Sequence, residues 1–259
     1  MSTTSYAVRD SRTMLRRNLK HARRYPSMTI SIVAMPILML LLFVFVFGGA
    51  LGSGIGMSGD RGEYTNYVTP GILLMAVTSG AISTAVSVCT DMTEGIINRF
   101  RAMAISRASV LTGHVLGNVI QTMVSLVLVI GVAVAVGFRP TAGPVQWLAA
   151  LGILALLAFA LSWLSAAIGL GAKTVEAASN APMPLTFLPF LGSAVVTPDS
   201  MPTGLRWFAE YQPFTPVNET LRGLLLGTEI GNSAWIALAW GIGLSLLGYL
   251  WARSAFAKR

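Results

Sequence analysis

The sequence predicts an all-α membrane protein with six transmembrane helices, a basic amphipathic helix before them, and short helices in one outer segment. Apolar residues make up 54% of the 259 residues and charged residues only 11%, against about 25% charged in an average soluble domain. Several charge-free intervals exceed the roughly 20 residues that a helix needs to cross a bilayer. These two observations exclude an ordinary soluble domain.

Residues 1–27 are predicted to form a basic amphipathic helix. Apolar side chains such as Leu15 and Leu19 share one face, and basic side chains share the other. Such a helix lies in the membrane interface, and the alternative is a disordered basic tail. Because basic residues gather here, the net charge of +8 indicates anionic lipid headgroups rather than nucleic acid. The candidate interface residues are Arg12, Arg16, Lys20 and Arg23.

The spans are separated by charged, glycine-rich or proline-rich stretches and form one domain, residues 28–253. They are Met28–Ala50, intervals within Tyr64–Thr90, Ala108–Phe138 and Pro144–Gly171, about Glu176–Val196, and Asn232–Ala252. Because proline removes a helical hydrogen bond, the fifth span is expected to be kinked or broken. Its prolines are candidate gating kinks, although kinks also occur without a function. They are Pro182, Pro184 and Pro189.

Six spans place both termini on one side of the membrane, and the charges decide which side. With both termini inside, fourteen of the eighteen basic residues but only four of the ten acidic residues lie inside. This bias predicts a cytoplasmic N-terminus and a cytoplasmic tail, residues 254–259. Segment 91–107 is then cytoplasmic, and segment 197–231 lies outside. The outer segment is too polar to span, and its aromatic residues indicate short interfacial or re-entrant helices. They are Trp207, Phe208, Tyr211 and Phe214.

Segment 91–107, DMTEGIINRFRAMAISR, is short, charged and helical in its periodicity. Asp91 and Glu94 resemble a capping box at its start, and the apolar side chains after them share one face. The segment is either a docking helix for a soluble partner or an ordinary solvated loop. The candidate docking residues are Asp91, Glu94, Arg99, Phe100, Arg101 and Arg107.

Polar side chains mark one face of the third span, at positions i, i+4, i+7 and i+11, and small hydroxyl residues mark the second span. They either hold helices together or line a path for an amphipathic substrate, and packing is the favoured interpretation. His114 is expected to be a hydrogen-bonded packing residue, and no metal site is expected. The residues are Ser83, Thr84, Ser87, His114, Asn118, Gln121 and Ser125.

The chain lacks the glycines of a phosphate-binding loop. Gly169–Thr174 ends in Lys-Thr, but positions 167 and 172, which that motif needs as glycine, are alanine. We therefore expect no ATP site in this chain, no cofactor and no enzymatic activity. A chain that lacks its own energy source has a reason to bind another protein, which favours the docking interpretation of segment 91–107.

The order of motifs along nearly the full chain resembles the type-two ABC exporter permeases, in particular the daunorubicin-resistance type. The basic helix precedes the first span, Tyr67-Val-Thr-Pro-Gly71 opens the second, and Asp91-x-x-Glu94-Gly95 follows it with Arg99, Arg101 and Arg107. The outer segment carries Pro213, Pro216, Glu219, Arg222 and Gly227.

This resemblance implies a prokaryotic plasma-membrane exporter made of two copies of the permease and two copies of a separate ATPase that binds ATP and Mg. It implies that segment 91–107 is a coupling helix that docks in a cleft of the ATPase. The implied substrates are hydrophobic or amphipathic drugs, lipids or glycolipids.

Two other functions remain open at this stage. An ion-coupled secondary transporter usually places acidic residues near the middle of the membrane. The six central intervals hold none, because Glu176 lies at the inner end of the fifth span. A membrane assembly factor without transport activity is the second alternative.

Overall fold

A computed structural model describes residues 26–54, 61–95 and 107–257, together with Thr13, Leu15 and Arg16. This part of the chain is helical and contains no strand. Thr13, Leu15 and Arg16 are helical, and the side chain of Arg16 is exposed. The other predicted interface residues, Arg12, Lys20 and Arg23, lie outside the described residues.

The described residues contain five helices that are long and apolar enough to cross a membrane, so the predicted all-α membrane class is confirmed. The first consists of α1 (Pro26–Leu41), a π-helical segment (Leu42–Phe47) and α2 (Gly48–Gly54). The others are α3 (Arg61–Thr93), α4 (Arg107–Val136), α5 (Pro144–Gly171) and, after the shorter elements, the C-terminal helix (Ser233–Ala257). The prediction of six long helices is wrong at the fifth span.

The fifth predicted span is a broken segment rather than a continuous helix. It contains α6 (Val175–Asn180), α7 (Met183–Phe187) and then turns up to residue 196. Pro182 precedes α7 and Pro184 lies in its first turn, where a missing N–H costs no hydrogen bond. Pro189 lies in the turns that follow. The prolines therefore divide this segment, as the sequence predicts.

The broken segment nevertheless runs along most of α3. Just before it, at the C-cap of α5, the carbonyl oxygen of Ala172 lies 4.0 Å from Cys89 Sγ. Near its end, Ala194 contacts Gly71 so closely that a Cβ atom on Gly71 would lie 2.6 Å from that of Ala194. The two contact points on α3 are eighteen residues apart, or about 27 Å at 1.5 Å per residue. The segment therefore covers nearly the roughly 30 Å of a hydrocarbon core.

Helix α3 is the centre of the molecule. It packs against α1, α4, α5, both short helices of the broken segment and the outer helix Phe214–Leu226. In its membrane-spanning part 72% of the residues are buried, compared with 28% in α4. Small residues permit this packing, since a Cβ atom on Gly80 would collide with Thr122 Oγ1 of α4. Close approach through small residues is the usual basis of helix association in membranes.

The outer segment forms two short helices, α8 (Thr203–Tyr211) and α9 (Phe214–Leu226), before α10, the C-terminal helix Ser233–Ala257. The aromatic side chains of Trp207, Phe208 and Tyr211 on α8 are exposed. Phe214 is only 1% exposed and belongs to the core, so its predicted position at the membrane interface is wrong. Helix α9 ends at Gly227, whose φ of 76° is the left-handed conformation that glycine adopts readily.

On the polar side of α8, Arg206 makes two ion pairs. Its Nε donates to Glu210 Oε1 over 2.7 Å, and its Nη2 lies 2.7 Å from Asp199 Oδ1. The hydrogen bond to Glu210 and the charges of both carboxylates raise the pKa of Arg206 above its ordinary value. Helix α8 is therefore amphipathic, with charged and aromatic side chains at its surface.

Candidate translocation and coupling site

A chain of hydrogen bonds joins α3, α4 and α5 in the interior of the bundle. The hydroxyl of Ser83 donates to Asn118 Oδ1 over 2.9 Å. Asn118 Nδ2 donates to Ser162 Oγ over 2.8 Å, and the Ser162 hydroxyl donates to the carbonyl of Ala158 over 2.6 Å. Hydrogen bonds between membrane helices each stabilise association by about 0.6–2 kcal/mol. At Ser83 and Asn118, then, the geometry supports packing rather than an open path.

Other hydroxyl groups surround this chain of hydrogen bonds. Those of Thr84, Thr122, Ser125 and Ser165 are buried, with no hydrogen-bond partner among the described residues. Ser125 lies on the predicted polar face of α4 and is 2% exposed, whereas Gln121 is half-buried. Ser87 on α3 is exposed. The structure thus gathers Ser83, Thr84, Asn118 and Ser125 inside the bundle and leaves Ser87 at its surface.

Asp91 and His114 form a buried pair where α3 ends and α4 begins. His114 Nε2 lies 3.0 Å from Asp91 Oδ2, and the residues are 8% and 6% exposed. A carboxylate only accepts hydrogen bonds, so the imidazole N–H is the donor. His114 is therefore the hydrogen-bonded residue that the sequence predicts. Its partner was not predicted, because these side chains belong to two different elements.

The predicted capping box of Asp91 and Glu94 is wrong. Asp91 lies inside α3, which continues to Thr93, so it cannot begin a new helix. The Glu94 N–H donates to the carbonyl of Thr90 over 2.9 Å, and Gly95 then ends the helical turns with a φ of 68°. The sequence placed the boundary at the first charged residue, but burial against His114 lets the helix continue past it. Glu94 is exposed.

The remaining candidate docking residues fall largely outside the described part of the chain. Arg99, Phe100 and Arg101 lie in the undescribed residues 96–106. Arg107 is the first residue of α4, and its side chain is not among those described.

A second polar cluster lies near the N-terminal end of α3. We call it the arginine cluster and define it by Tyr67, Ser193, Asn218, Glu219 and Arg222. The Arg222 guanidinium lies over the Tyr67 ring, 3.6 Å from its centre. It donates to the carbonyl of Tyr67 over 3.1 Å, to the carbonyl of Ser193, and to Glu219 Oε1 over 2.8 Å. This arginine therefore joins α3, α9 and the broken segment.

Other side chains of the outer helices bind backbone groups of the broken segment. Asn218 Nδ2 donates to the carbonyl of Ser193 over 3.0 Å, and Gln212 Nε2 donates to that of Leu188 over 3.2 Å. The Thr215 hydroxyl oxygen accepts from the Ser193 N–H over 3.3 Å. Turns lack helical hydrogen bonds, and buried backbone groups need partners. Side chains of α9 and of the turn before it therefore add to the few backbone hydrogen bonds that these turns keep.

The arginine cluster brings together motif residues from distant parts of the sequence. Tyr67 and Gly71 open the second span, whereas Glu219 and Arg222 belong to the outer segment. Sequence reasoning missed Gln212, Ser193 and Asn218. A polar residue in an otherwise apolar stretch is a signal that could have identified Ser193, whereas Gln212 and Asn218 lie in a polar stretch that offers no such signal.

Comparison with known proteins decides the class. The profile of the ABC-2 type transporter family matches residues 9–226. The chain belongs to the ABC-2 type transporter family. Within this family, the chain is the transmembrane permease subunit of an ABC exporter. Its partner is an ABC ATPase in which ATP is hydrolysed, so the permease itself is not an enzyme.

Relatives of this ABC-2 permease carry consistent names. This chain is 30% identical over 241 residues to a protein of Streptomyces coeruleorubidus named "Daunorubicin resistance ABC transporter permease protein DrrB1". The alignment covers 93% of this chain and 80% of the relative. The chain is 23% identical over 218 residues to a Mycobacterium tuberculosis protein named "Probable doxorubicin resistance ABC transporter permease protein DrrC", covering 84% and 77%. The resemblance seen in the motifs is therefore confirmed.

Proposed function

We propose that this ABC-2 permease forms a homodimer that works with two ATPase copies and exports a hydrophobic or amphipathic compound. The relatives' names, which mention daunorubicin and doxorubicin, support a drug-like substrate. Lipids and glycolipids are the alternative substrates, because they share the combination of an apolar body and a polar end.

The observation that carries the homodimer is the exposure of the broken segment. Met183 is 49% exposed, Phe187 57% and Leu191 39%. Irregular backbone cannot face lipid, because lipid offers no hydrogen-bond partners; it occurs at membrane depth only inside protein or beside water. A second copy packed on this face encloses the irregular backbone in protein. A pathway between the two copies places the rest of this backbone beside water. Two-fold symmetry, the commonest arrangement of oligomers, places the same segment on each side.

The π-helical segment Leu42–Phe47 extends this exposed face. The ring of Phe43 lies 6.0 Å from that of Phe190 in the broken segment, so the two elements are neighbours. Phe45, Val46 and Phe47 are exposed beside them. The face therefore combines two departures from regular α-helix with aromatic side chains suited to an apolar substrate. Of the predicted gating prolines, Pro184 lies on this exposed face, whereas Pro182 and Pro189 are buried behind it.

The proposed topology has six membrane crossings, five by long helices and one by the broken segment. An even number places both termini on one side. The excess of basic residues in the termini and in segment 91–107 makes that side the cytoplasm. Segment 91–107 then reaches the ATPase, with Glu94, Arg99, Phe100, Arg101 and Arg107 as docking residues. Asp91 stays inside the permease, as the buried partner of His114.

Purification from native membranes after crosslinking tests the ATPase partnership. An ABC ATPase should be recovered with the permease in equal amounts. Failure to recover one would support an assembly factor instead.

Inside-out vesicles that contain both subunits test transport. They should accumulate doxorubicin with ATP and not with ADP, and an uncoupler should leave the ATP-driven uptake unchanged. Uptake that persists without ATP and collapses with an uncoupler would instead indicate an ion-coupled transporter. ATP-driven uptake of a fluorescent lipid, but not of doxorubicin, would assign the lipid class of substrate.

A further inference from the structure

The buried Asp91–His114 pair lies at the base of the proposed docking segment. Asp91 is in the last turn of α3, and His114 is in the second turn of α4. The chain between these turns contains residues 96–106, the centre of the docking segment. The pair therefore ties together the two helices on which that segment is mounted.

We propose that the Asp91–His114 pair is a positioning clasp that makes α3 and α4 move as one unit when the ATPase displaces the docking segment. This proposal rests on the docking role given to segment 91–107 above. Without a tie at this point, the ATPase could bend one helix away from the other. The displacement of the docking segment would then not be transmitted to the centre of the bundle.

The surroundings of the pair explain why a directional contact is needed there. Apolar side chains pack around this end of the bundle, among them Val88 on α3 and Val110, Leu111 and Val115 on α4. Such contacts are not directional, so they permit two helices to slide or rotate against each other. A hydrogen bond between a carboxylate and an imidazole fixes distance and direction together. The Ser83–Asn118 hydrogen bond fixes the two helices deeper in the bundle, and the Asp91–His114 pair fixes their register at this end.

Stability alone does not require this pair. Replacing a buried ionic pair by apolar residues of similar volume is often neutral or stabilising, whereas removing one partner is costly. A polar pair in this position is better explained by the specific geometry that it imposes. Variants of the pair are therefore expected to fold, but α3 and α4 should no longer move together in them.

Spin labels test the clasp in the permease alone, in nanodiscs. Cys89 is the single cysteine, so labels go onto Thr93 of α3 and Val124 of α4, both exposed, in a Cys89→Ala background. When Asp91 and His114 are unsubstituted, the distances between the two labels should form one narrow distribution. Asp91→Asn and His114→Gln should each broaden it, and the double variant should broaden it no further, because the two residues act as a unit. Unchanged distributions in both single variants would overturn the clasp.

A variant that retains packing controls for misfolding. Asp91→Leu combined with His114→Leu removes both partners of this hydrogen bond together and should fold, yet it should broaden the distribution like the single variants. If this variant keeps the narrow distribution, apolar packing holds the helices together and the clasp is rejected.

Transport in the complete complex separates the clasp from the proposed function. In vesicles with the ATPase, each single variant should lower doxorubicin transported per ATP by at least about fivefold, the lower end of usual coupling energies. Co-purification of the ATPase should be unchanged, because the clasp is not a docking contact. Broader distances with normal transport per ATP would overturn the positioning role.

Absence of ATP-driven transport in the unsubstituted complex would refute the exporter proposal. The distances measured in nanodiscs would still decide whether the Asp91–His114 pair ties α3 to α4.

Discussion

Arg222 shows how one side chain can hold three elements together. It stacks on Tyr67, donates to two backbone carbonyls and pairs with Glu219, while the residue itself is only 6% exposed. The planar guanidinium has five donors in a fixed arrangement, which matches this set of acceptors. Lysine could retain the charge but could not reach all of these acceptors together.

We predict that Arg222→Ala destabilises the permease by about 3 kcal/mol, because the carbonyl groups of Tyr67 and Ser193 lose their donor. Arg222→Lys should recover only part of this loss. Unfolding in mixed detergent micelles measures the effect. Arg206→Ala is the matched control, since that arginine also has carboxylate partners but lies at the surface; its unfolding curve should not change. Equal effects of the two alanine substitutions would contradict the role assigned to Arg222.

Individual residues were predicted unevenly from the sequence. The polar face of α4 was predicted correctly, because helical spacing places its members together, and Asn118 and Ser125 are indeed buried. The contact of Arg222 with Tyr67 was not predicted, since residues 155 positions apart leave no periodic signal. Asp91 was misplaced because a charge next to an apolar run is usually a boundary, whereas here the charged residue is buried beside His114.

Among the helices, the close contact between α3 and the broken segment is the most sensitive feature. At Gly71 an added Cβ atom would lie 2.6 Å from the Cβ and 2.7 Å from the carbonyl oxygen of Ala194. Backbone atoms cannot move aside as the end of a flexible side chain can. The two elements can approach this closely only because residue 71 has no side chain.

Gly71→Ala should therefore destabilise the fold by about 1–3 kcal/mol, the usual cost of overpacking. It should also lower export, because it separates α3 from the turns that Arg222 holds. Gly152→Ala on α5 is the control, since nothing lies within 4 Å of its added Cβ, and alanine favours a helix over glycine by about 1 kcal/mol. Thermal unfolding in detergent and transport in vesicles measure both variants. If Gly71→Ala matched this control, the contact would not be as tight as described.

Long helices were predicted well because apolar length and flanking turn residues define them. Helix α5 has the same limits as its predicted interval, between Gly143-Pro144 at its start and Gly171 at its end. The π-helical segment could not be predicted, since Leu42–Phe47 is as apolar as the rest of the span. The proline-broken span was predicted, but not the side chains that satisfy its backbone, because they come from α9 and the turn before it.

For the whole molecule, the exposed broken segment predicts the dimer interface. In a Cys89→Ala background, a cysteine at Phe187 or Leu191 should form a disulfide-linked dimer on mild oxidation, because symmetry brings equivalent residues close together. Cysteines at Trp235 and Leu246 of α10, which are exposed on another helix, serve as controls. Gel electrophoresis without reducing agent measures the product. Crosslinking at α10 but not at the broken segment would place the interface elsewhere.

Coupling to the ATPase is the second prediction at this scale. Charge reversal at Glu94, Arg99 or Arg101 should lower transport per ATP hydrolysed without disturbing membrane insertion, because these residues are proposed to contact the ATPase. Membrane fractionation measures insertion, and vesicle transport measures coupling. Reversal at Glu229, an acidic residue of the outer segment in the proposed topology, is the control and should change neither. Normal export in all three variants would argue against docking through this segment.

The hydrogen bonds that side chains donate to the broken segment have a consequence for the speed of opening. A continuous helix can bend sharply only by breaking backbone hydrogen bonds in an apolar medium, which makes bending slow. The turns between Leu188 and Ser193 keep only a few backbone hydrogen bonds, and their carbonyl groups also accept from amide and guanidinium groups of Gln212, Asn218 and Arg222. These side chains can exchange one carbonyl for the next by changing rotamer. We therefore expect substitutions in α9 and in the turn before it to change the activation barrier for moving this crossing.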